Sequence, residues 1–316
     1  MLYKSGCNLE QGVIDFITDN ESITLFSAYI KIEELKRINI NGNIKQIVVR
    51  WEIEDLCKGV SDIELYQYCL RNKIILYRNT RLHMKAFWDN AENIVLGSAN
   101  VTARGLGSLQ TYNYELNGKI ESISLQDKIY LNNVIASSEY VTEELYHKIK
   151  NLIDEFEIPI IPYPELPTTK SETDSFLFSQ LPMSLSPDDL YEVAINSHEF
   201  NDLEINCAAH DIALYDIEPF QDYSLFKSEM KIKFNAHLFI IALKKHIKSQ
   251  ESKSLRYGGV VDWIQSNTTT VPTPRSWDIK KKQIVNILYS WICYFDDDYT
   301  WNIPGAKSEV IFYNGK

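Results

Sequence analysis

Apolar residues run through the first half of the chain in two alternating rhythms. Residues 9–18 (Leu-Glu-Gln-Gly-Val-Ile-Asp-Phe-Ile-Thr) space them along one face of a helix. Ile23 to Ile30 is a nearly unbroken apolar run and predicts a buried strand. Ile32 to Ile38 returns to helical spacing and stops at Asn41-Gly42-Asn43. Gln46 to Trp51 predicts a second strand around Ile47, Val48 and Val49. Ser61, with Glu64 three residues on, predicts a capping box for a helix reaching about Asn72. Lys73 to Tyr77 predicts a third strand. Two more follow, one carrying His83 and Lys85 and one over Asn93 to Leu96, and then Asn113 to Ile120. Helical patterns over 124–138 and 142–155 close this half, the second capped by Thr142. Strands alternating with helices predict an α/β class, a mixed sheet covered by helices, with its chemistry at strand ends.

The rhythm then breaks. Pro159, Pro162, Pro164, Pro167, Pro182 and Pro187 fall within 158–190, which predicts a linker between a domain at 1–157 and one at 191–316. The later domain reads as mainly helical, with helices over Phe234 to Ile247 and about 278–294 and a strand-like stretch near Glu309 to Phe312. No internal repeat is visible.

Composition is that of a globular protein, with 45% hydrophobic and 24% charged residues among 316. No apolar run has the length of a membrane span, and the first residues lack the pattern of a secretory signal. Five scattered cysteines read as buried thiols in a reducing compartment, which predicts the cytoplasm. They have no metal-ligand spacing, so no metal or cofactor is expected. The net charge of −11 looks adverse for a partner such as DNA, but its distribution changes the picture. Residues 1–150 hold 17 Lys and Arg against 19 Asp and Glu; residues 151–222 hold one against 16; residues 231–282 hold 11 against three. A nearly neutral segment, an acidic one and a basic one follow in order. The acidic segment reads as surface or as a cover for a cleft.

Candidate chemistry concentrates in Arg81 to Gly107. His83 and Lys85, two apart on a strand, would face the same way. Gly97-Ser98-Ala99-Asn100 follows the next strand, so a nucleophile, a fixed cation and two short hydrogen-bonding side chains would meet at neighbouring strand ends. These groups suit phosphodiester cleavage: attack by His83, with Lys85, Ser98 and Asn100 on the phosphoryl oxygens. Each residue alone would read as an ordinary strand or turn residue; the combination carries the reading.

The combination resembles the signature of the phospholipase D superfamily, and most of all its bacterial nuclease and restriction-type members. Leu82-His83-x-Lys85 and Ser98-Ala99-Asn100-Val101-Thr102-x-x-Gly105-Leu106 carry it. Val49-Arg50-Trp51, Asp55-Leu56, Gly59-x-Ser61-Asp62 and Asn113-Tyr114-Glu115 accompany it. The resemblance implies a phosphohistidine at His83, and Glu115 as the acid that orients a histidine. The family places an aspartate five residues after the lysine. Here that position is Asn90, with Asp89 just before it, within reach of the site if the strand bulges.

The family's site also needs two such motifs. His246-x-Lys248 is the other histidine followed two later by lysine, but no Gly-Ser-x-Asn follows it, and it reads as a solvated helix face. The resemblance therefore implies a two-fold homodimer sharing one composite site. Arg104 is a candidate phosphate ligand, as are Arg275, Lys280, Lys281 and Lys282 near Trp277; the last four read equally as a solvated helix face. Arg50, Trp51 and Asp55 read either as site lining or as sheet-end packing and helix capping. His147, His198, His210 and His237 read as structural. DNA is the expected substrate, in restriction or antiphage defence. A lipid phosphodiesterase, or a non-catalytic subunit working with a motor protein, are the other classes.

Overall fold

The computed structural model describes residues 1–156, 176, 181–218, 222–268, 281–305 and 308–315, with Lys281 and Lys282 described in their backbone only. The chain divides into two compact units, Met1–Pro164 and Glu165–Lys316.

The N-terminal unit is built on an eight-stranded mixed sheet. Its strands are β1 (Leu2–Lys4), β2 (Ile23–Ser27), β3 (Ile44–Val49), β4 (Ile75–Arg78), β5 (Ala86–Trp88), β6 (Ile94–Gly97), β7 (Leu116–Ile120) and β8 (Glu139–Tyr140). Their order is β1-β7-β6-β5-β2-β3-β4-β8. β2, β3 and β4 run parallel, and the remaining pairings are antiparallel. The parallel strands are the near-continuous apolar runs of the sequence, as strands buried on both faces must be. α1 (Leu9–Thr18), α2 (Ile32–Ile38), α3 (Ile53–Cys57), α4 (Leu65–Arg71) and α7 (Glu143–Glu155) belong to one side. There Leu25, Ile47, Leu76, Phe87 and Val95 of the sheet share a core with Leu9, Val13, Leu35, Leu65, Tyr146 and Ile149.

The other face carries Phe26, Val48, Ala86, Trp88 and Ile94. Leu131 of α6 (Leu125–Ala136) covers it. That cover is incomplete. Leu96, Leu116 and Ile120 lie on the same face of β6 and β7 and are 39%, 51% and 47% exposed.

The C-terminal unit is mainly helical. It holds α8 (Pro187–Ile195), α9 (Asp202–Tyr215), α10 (Tyr223–Ala236), α11 (Leu238–Ser249), α12 (Tyr257–Asn267) and α13 (Lys281–Phe295). A small sheet of β9 (Ser254–Arg256), β10 (Tyr299–Asn302) and β11 (Val310–Tyr313) completes it. Its core includes Met230, Phe234, Phe239, Leu288 and Trp291, joined by Leu181 and Met183. Among the described residues no helix is long and apolar enough to cross a membrane.

Several expectations need correction. Ser61 caps no helix: α4 begins at Leu65 without a side-chain cap, and Ser61 Oγ instead accepts the Ile30 N–H at 2.9 Å. Phe234 to Ile247 is two helices, broken at His237, which is extended at φ −70°, ψ 126°. The corner buries both Phe234 and Phe239, and this packing outweighs local helical propensity. Cys7 is exposed, whereas Cys69 is buried and its thiol is pushed up to about 12 by desolvation. His246 is half-buried against the Trp263 ring rather than solvated. β9, β10, α3 and the early start of the second unit's packing at Leu181 carry no clear sequence signal.

Candidate active site

β5 begins at Ala86, so His83 and Lys85 lie on its extended lead-in and not on the strand itself. Pairing with β2 stops at Ala86↔Phe26, which frees the preceding residues from that neighbour. Buried Leu82 anchors the lead-in from below, and the Gly97 N–H holds the Lys85 carbonyl at 3.1 Å. The two side chains differ in depth: His83 is exposed and Lys85 is only 8% exposed. They still meet. Lys85 Nζ lies 3.3 Å from His83 Nδ1 and 3.4 Å from Nε2, and it donates to the His83 carbonyl at 2.6 Å.

The neighbouring turn is held by β7 and β2. A Cβ on Gly97 would lie 2.3 Å from the Leu116 carbonyl oxygen, so only glycine permits β6 to end against β7. Ser98 N donates to Leu116 O (3.2 Å), and Ser98 Oγ accepts from Leu116 N (3.1 Å). Asn100 Oδ1 accepts from Tyr29 N (3.2 Å) and Ser27 Oγ (3.4 Å). In both side chains the backbone and its neighbours occupy acceptor capacity, which leaves the Ser98 O–H and the Asn100 amide N–H groups as donors. Thr102 caps the short α5 (Ala103–Leu106) that follows, and Arg104 stands exposed on it.

Glu115 precedes β7, half-buried, and accepts from Asn113 Nδ2 at 3.2 Å. Among the described residues no hydrogen bond joins it to His83. Its carboxylate acts on Lys85 instead. Burial lowers the Lys85 ammonium below the ordinary lysine range, Glu115 opposes that, and Arg50 adds to it. Arg50 is itself held charged by a two-pronged pair with Asp55 at 2.7 Å per contact, and it donates to the Tyr29 hydroxyl at 2.7 Å. Asp55 therefore holds Arg50 rather than capping a helix.

Asn90 and Asp89 both serve the β5–β6 hairpin. Asn90 sits at φ +62°, a conformation asparagine tolerates well. Its Oδ1 accepts from Thr24 Oγ1 (2.6 Å), and its Nδ2 donates to Ser22 O (3.1 Å) and Oγ (3.0 Å). Asp89 binds the N–H groups of Ala91 (2.8 Å) and Asn93 (3.0 Å), so no bulge brings it to the site.

Two depressions flank the lead-in. One of about 430 Å³ is lined by Arg81, His83, Tyr130 and Asn133; another of about 540 Å³ by Lys85, Leu96, Ile120 and Tyr130. Arg275 and Lys280 lie outside the described residues, and Lys281 and Lys282 are described only as the first turn of α13. Ser27, Tyr29 and Asn117 escaped the sequence reading although they shape the site. The signal was present for Ser27, a hydroxyl inside a wholly buried strand. Asn117 is likewise buried and its Oδ1 accepts the Ala99 N–H at 3.2 Å.

No family model and no curated protein matches the chain. Solved structures do. NucT from Helicobacter pylori is similar at 20% identity and a TM-score of 0.35, over 45% of this chain and 98% of that one. The phospholipase D family member Nuc from Salmonella typhimurium is similar at 16% identity and 0.35, over 45% and 99%. The phosphatidylserine synthase of Haemophilus influenzae follows at 16% and 0.31, over 49% and 43%. At these identities and TM-scores the chemistry rests on the residues of the site.

Proposed function

We propose that the chain is a phosphodiesterase that cuts DNA at a site assembled from two copies of itself. One observation carries this: exposed His83 in contact with buried Lys85, beside Ser98 and Asn100 with their donors unspent. A His83 ring nitrogen attacks phosphorus, the bond to the leaving oxygen breaks, and that oxygen takes a proton from His83 of the partner subunit. Water then attacks the phosphorus, releases His83 from its phosphohistidine, and returns a proton to the partner's His83. Lys85, Ser98 and Asn100 stabilise the charge on the non-bridging oxygens throughout. Glu115 keeps Lys85 protonated, and Arg104 holds a neighbouring phosphate.

Support for the dimer comes from a second direction. The chain offers one complete motif, since His246 packs on Trp263. An apolar strip of Leu96, Leu116 and Ile120 also lies open on the sheet face beside Lys85, which suits burial against a second copy. The reading of an inactive, partner-driven subunit drew on Asn90 and on the acidic segment; the hairpin bonds of Asn90 supply a scaffold role for the first of these. Restriction or antiphage defence is the setting we propose, tested by phage plating on cells carrying active or inactive chain. The molecular test is His83→Ala. Cleavage of plasmid DNA in EDTA is expected to fall at least about 10³-fold, with the dimer retained on light scattering. Cleavage at the wild-type rate sinks the assignment.

A further inference from the structure

The C-terminal unit contains a run whose order is α11, β9, α12, α13, β10, β11. β9 pairs with β11 and β11 with β10, all antiparallel. Helix, strand, two helices and a returning hairpin, with the first strand on the outer side of the hairpin, is the winged-helix arrangement. α12 and α13 take the place of its helix pair and β10–β11 that of its wing. We propose that this module binds duplex DNA, with the first half of α13 in the major groove and the hairpin and the start of α12 against phosphates.

The contacts bring these three parts to one end. β10 starts just after α13, with Tyr299 N bonded to Asp296 O at 3.0 Å, and the Trp301 ring lies 5.9 Å from that of Tyr289. The strand therefore runs back along the helix. Two strand residues and four helical ones cover about the same 6 Å, so the end of β10 reaches the first turns of α13. Across the sheet from Asn302 stands Val310, and beyond it Arg256, exposed and immediately before α12. Arg256, the Asn302 and Val310 ends of the hairpin strands and the start of α13 thus share one end of the module.

α13 is buried on most of its circumference. Among its described side chains Gln283 is exposed, and Asn286, Ser290, Cys293 and Tyr294 are half-buried; Gln283, Asn286, Ser290 and Cys293 lie three and four apart on one face. Amide side chains pair with adenine edges, and Gln283 is the exposed amide residue of that face. Toward its C-terminus α13 is covered: Trp291 Nε1 donates to Ser184 O at 2.9 Å, and Tyr294 bonds Asp188. Gln283 lies in the half that a helix-turn-helix protein presents to base edges.

The proposal deepens the nuclease reading by naming duplex DNA as its substrate, and binding can be measured apart from cleavage. The full-length His83→Ala chain is titrated with fluorescent duplex and with single strands of the same sequence, after selection of a preferred duplex from a random pool. Tighter binding to duplex is expected. Arg256→Glu should weaken all duplexes about 10-fold and flatten the salt dependence. Gln283→Ala should lose about 5- to 150-fold in preference for the selected sequence, with the thermal midpoint checking its fold. Equal binding to single strands, or duplex affinity unmoved by Arg256→Glu, overturns the winged-helix assignment and leaves the nuclease reading standing. Duplex binding without cleavage by the wild-type chain does the reverse.

Discussion

At the scale of single residues, the candidate site occupies acceptors so that donors are left over. Asn100 shows this most directly, because Tyr29 N and Ser27 Oγ claim its amide oxygen. Asn100→Asp keeps both acceptors and turns the donor into a second carboxylate oxygen facing phosphate. The fold should hold while kcat drops about 10²- to 10³-fold; an unchanged kcat removes Asn100 from the machinery. Lys85 gives a second test. Its buried ammonium loses its proton more readily than that of an exposed lysine, ordinarily near about 10.4. Activity that needs the charge must therefore fall as pH rises through the lowered value, giving an early alkaline limb. Glu115 raises the Lys85 value, so Glu115→Gln should move that limb to still lower pH. A limb that stays in place or moves upward shows that Glu115 does not support Lys85. Stability has the opposite sign: the unfolded chain holds the Lys85 proton more tightly, so the cost of burial starts to fall as pH rises through the folded-state value and is gone above the unfolded one.

At the scale of elements, the β5–β6 hairpin explains the departure from the family pattern. Asn90 ties the hairpin to Ser22 and Thr24 at the start of β2 through both ends of its amide. An aspartate there would set a carboxylate against the Ser22 carbonyl. Asn90→Asp is expected to cost about 1 kcal/mol in urea unfolding, with the folded protein cutting as before; lost activity at full stability contradicts a scaffold role. The same elements show what a sequence can disclose. β2, β3, α1, α2 and the Thr142-capped α7 were legible because long apolar runs and helical spacing are strong signals. So were His83, Lys85, Ser98 and Asn100, grouped within 18 residues of chain. Ser61 was misread because its hydroxyl serves Ile30, 31 residues away. His83 and Lys85 were placed on a strand because the end of the β2 pairing depends on a partner far off in sequence. β11 was legible near Glu309 to Phe312, but β9 and β10 were hidden for the same reason: they are short, and β9 pairs across the whole of α12 and α13 in sequence.

At the scale of the whole molecule, the incomplete cover of the sheet matters most. α6 spans part of the face, and Leu96, Leu116 and Ile120 are left to water. The double change Leu116→Glu and Ile120→Glu should give monomers on light scattering and remove cleavage in the same preparation, with near-native helix content. Monomers that cut at full rate rule out a shared site. An enzyme whose halves meet only in solution obeys a different law from one that folds complete. Below the dissociation constant the active species grows as the square of the chain concentration, so a tenfold dilution costs about a hundredfold in total activity. If the proposed shared site forms there, that open apolar strip makes abundance itself the control: a few scattered copies would be inert, and a modest rise in number would switch cutting on.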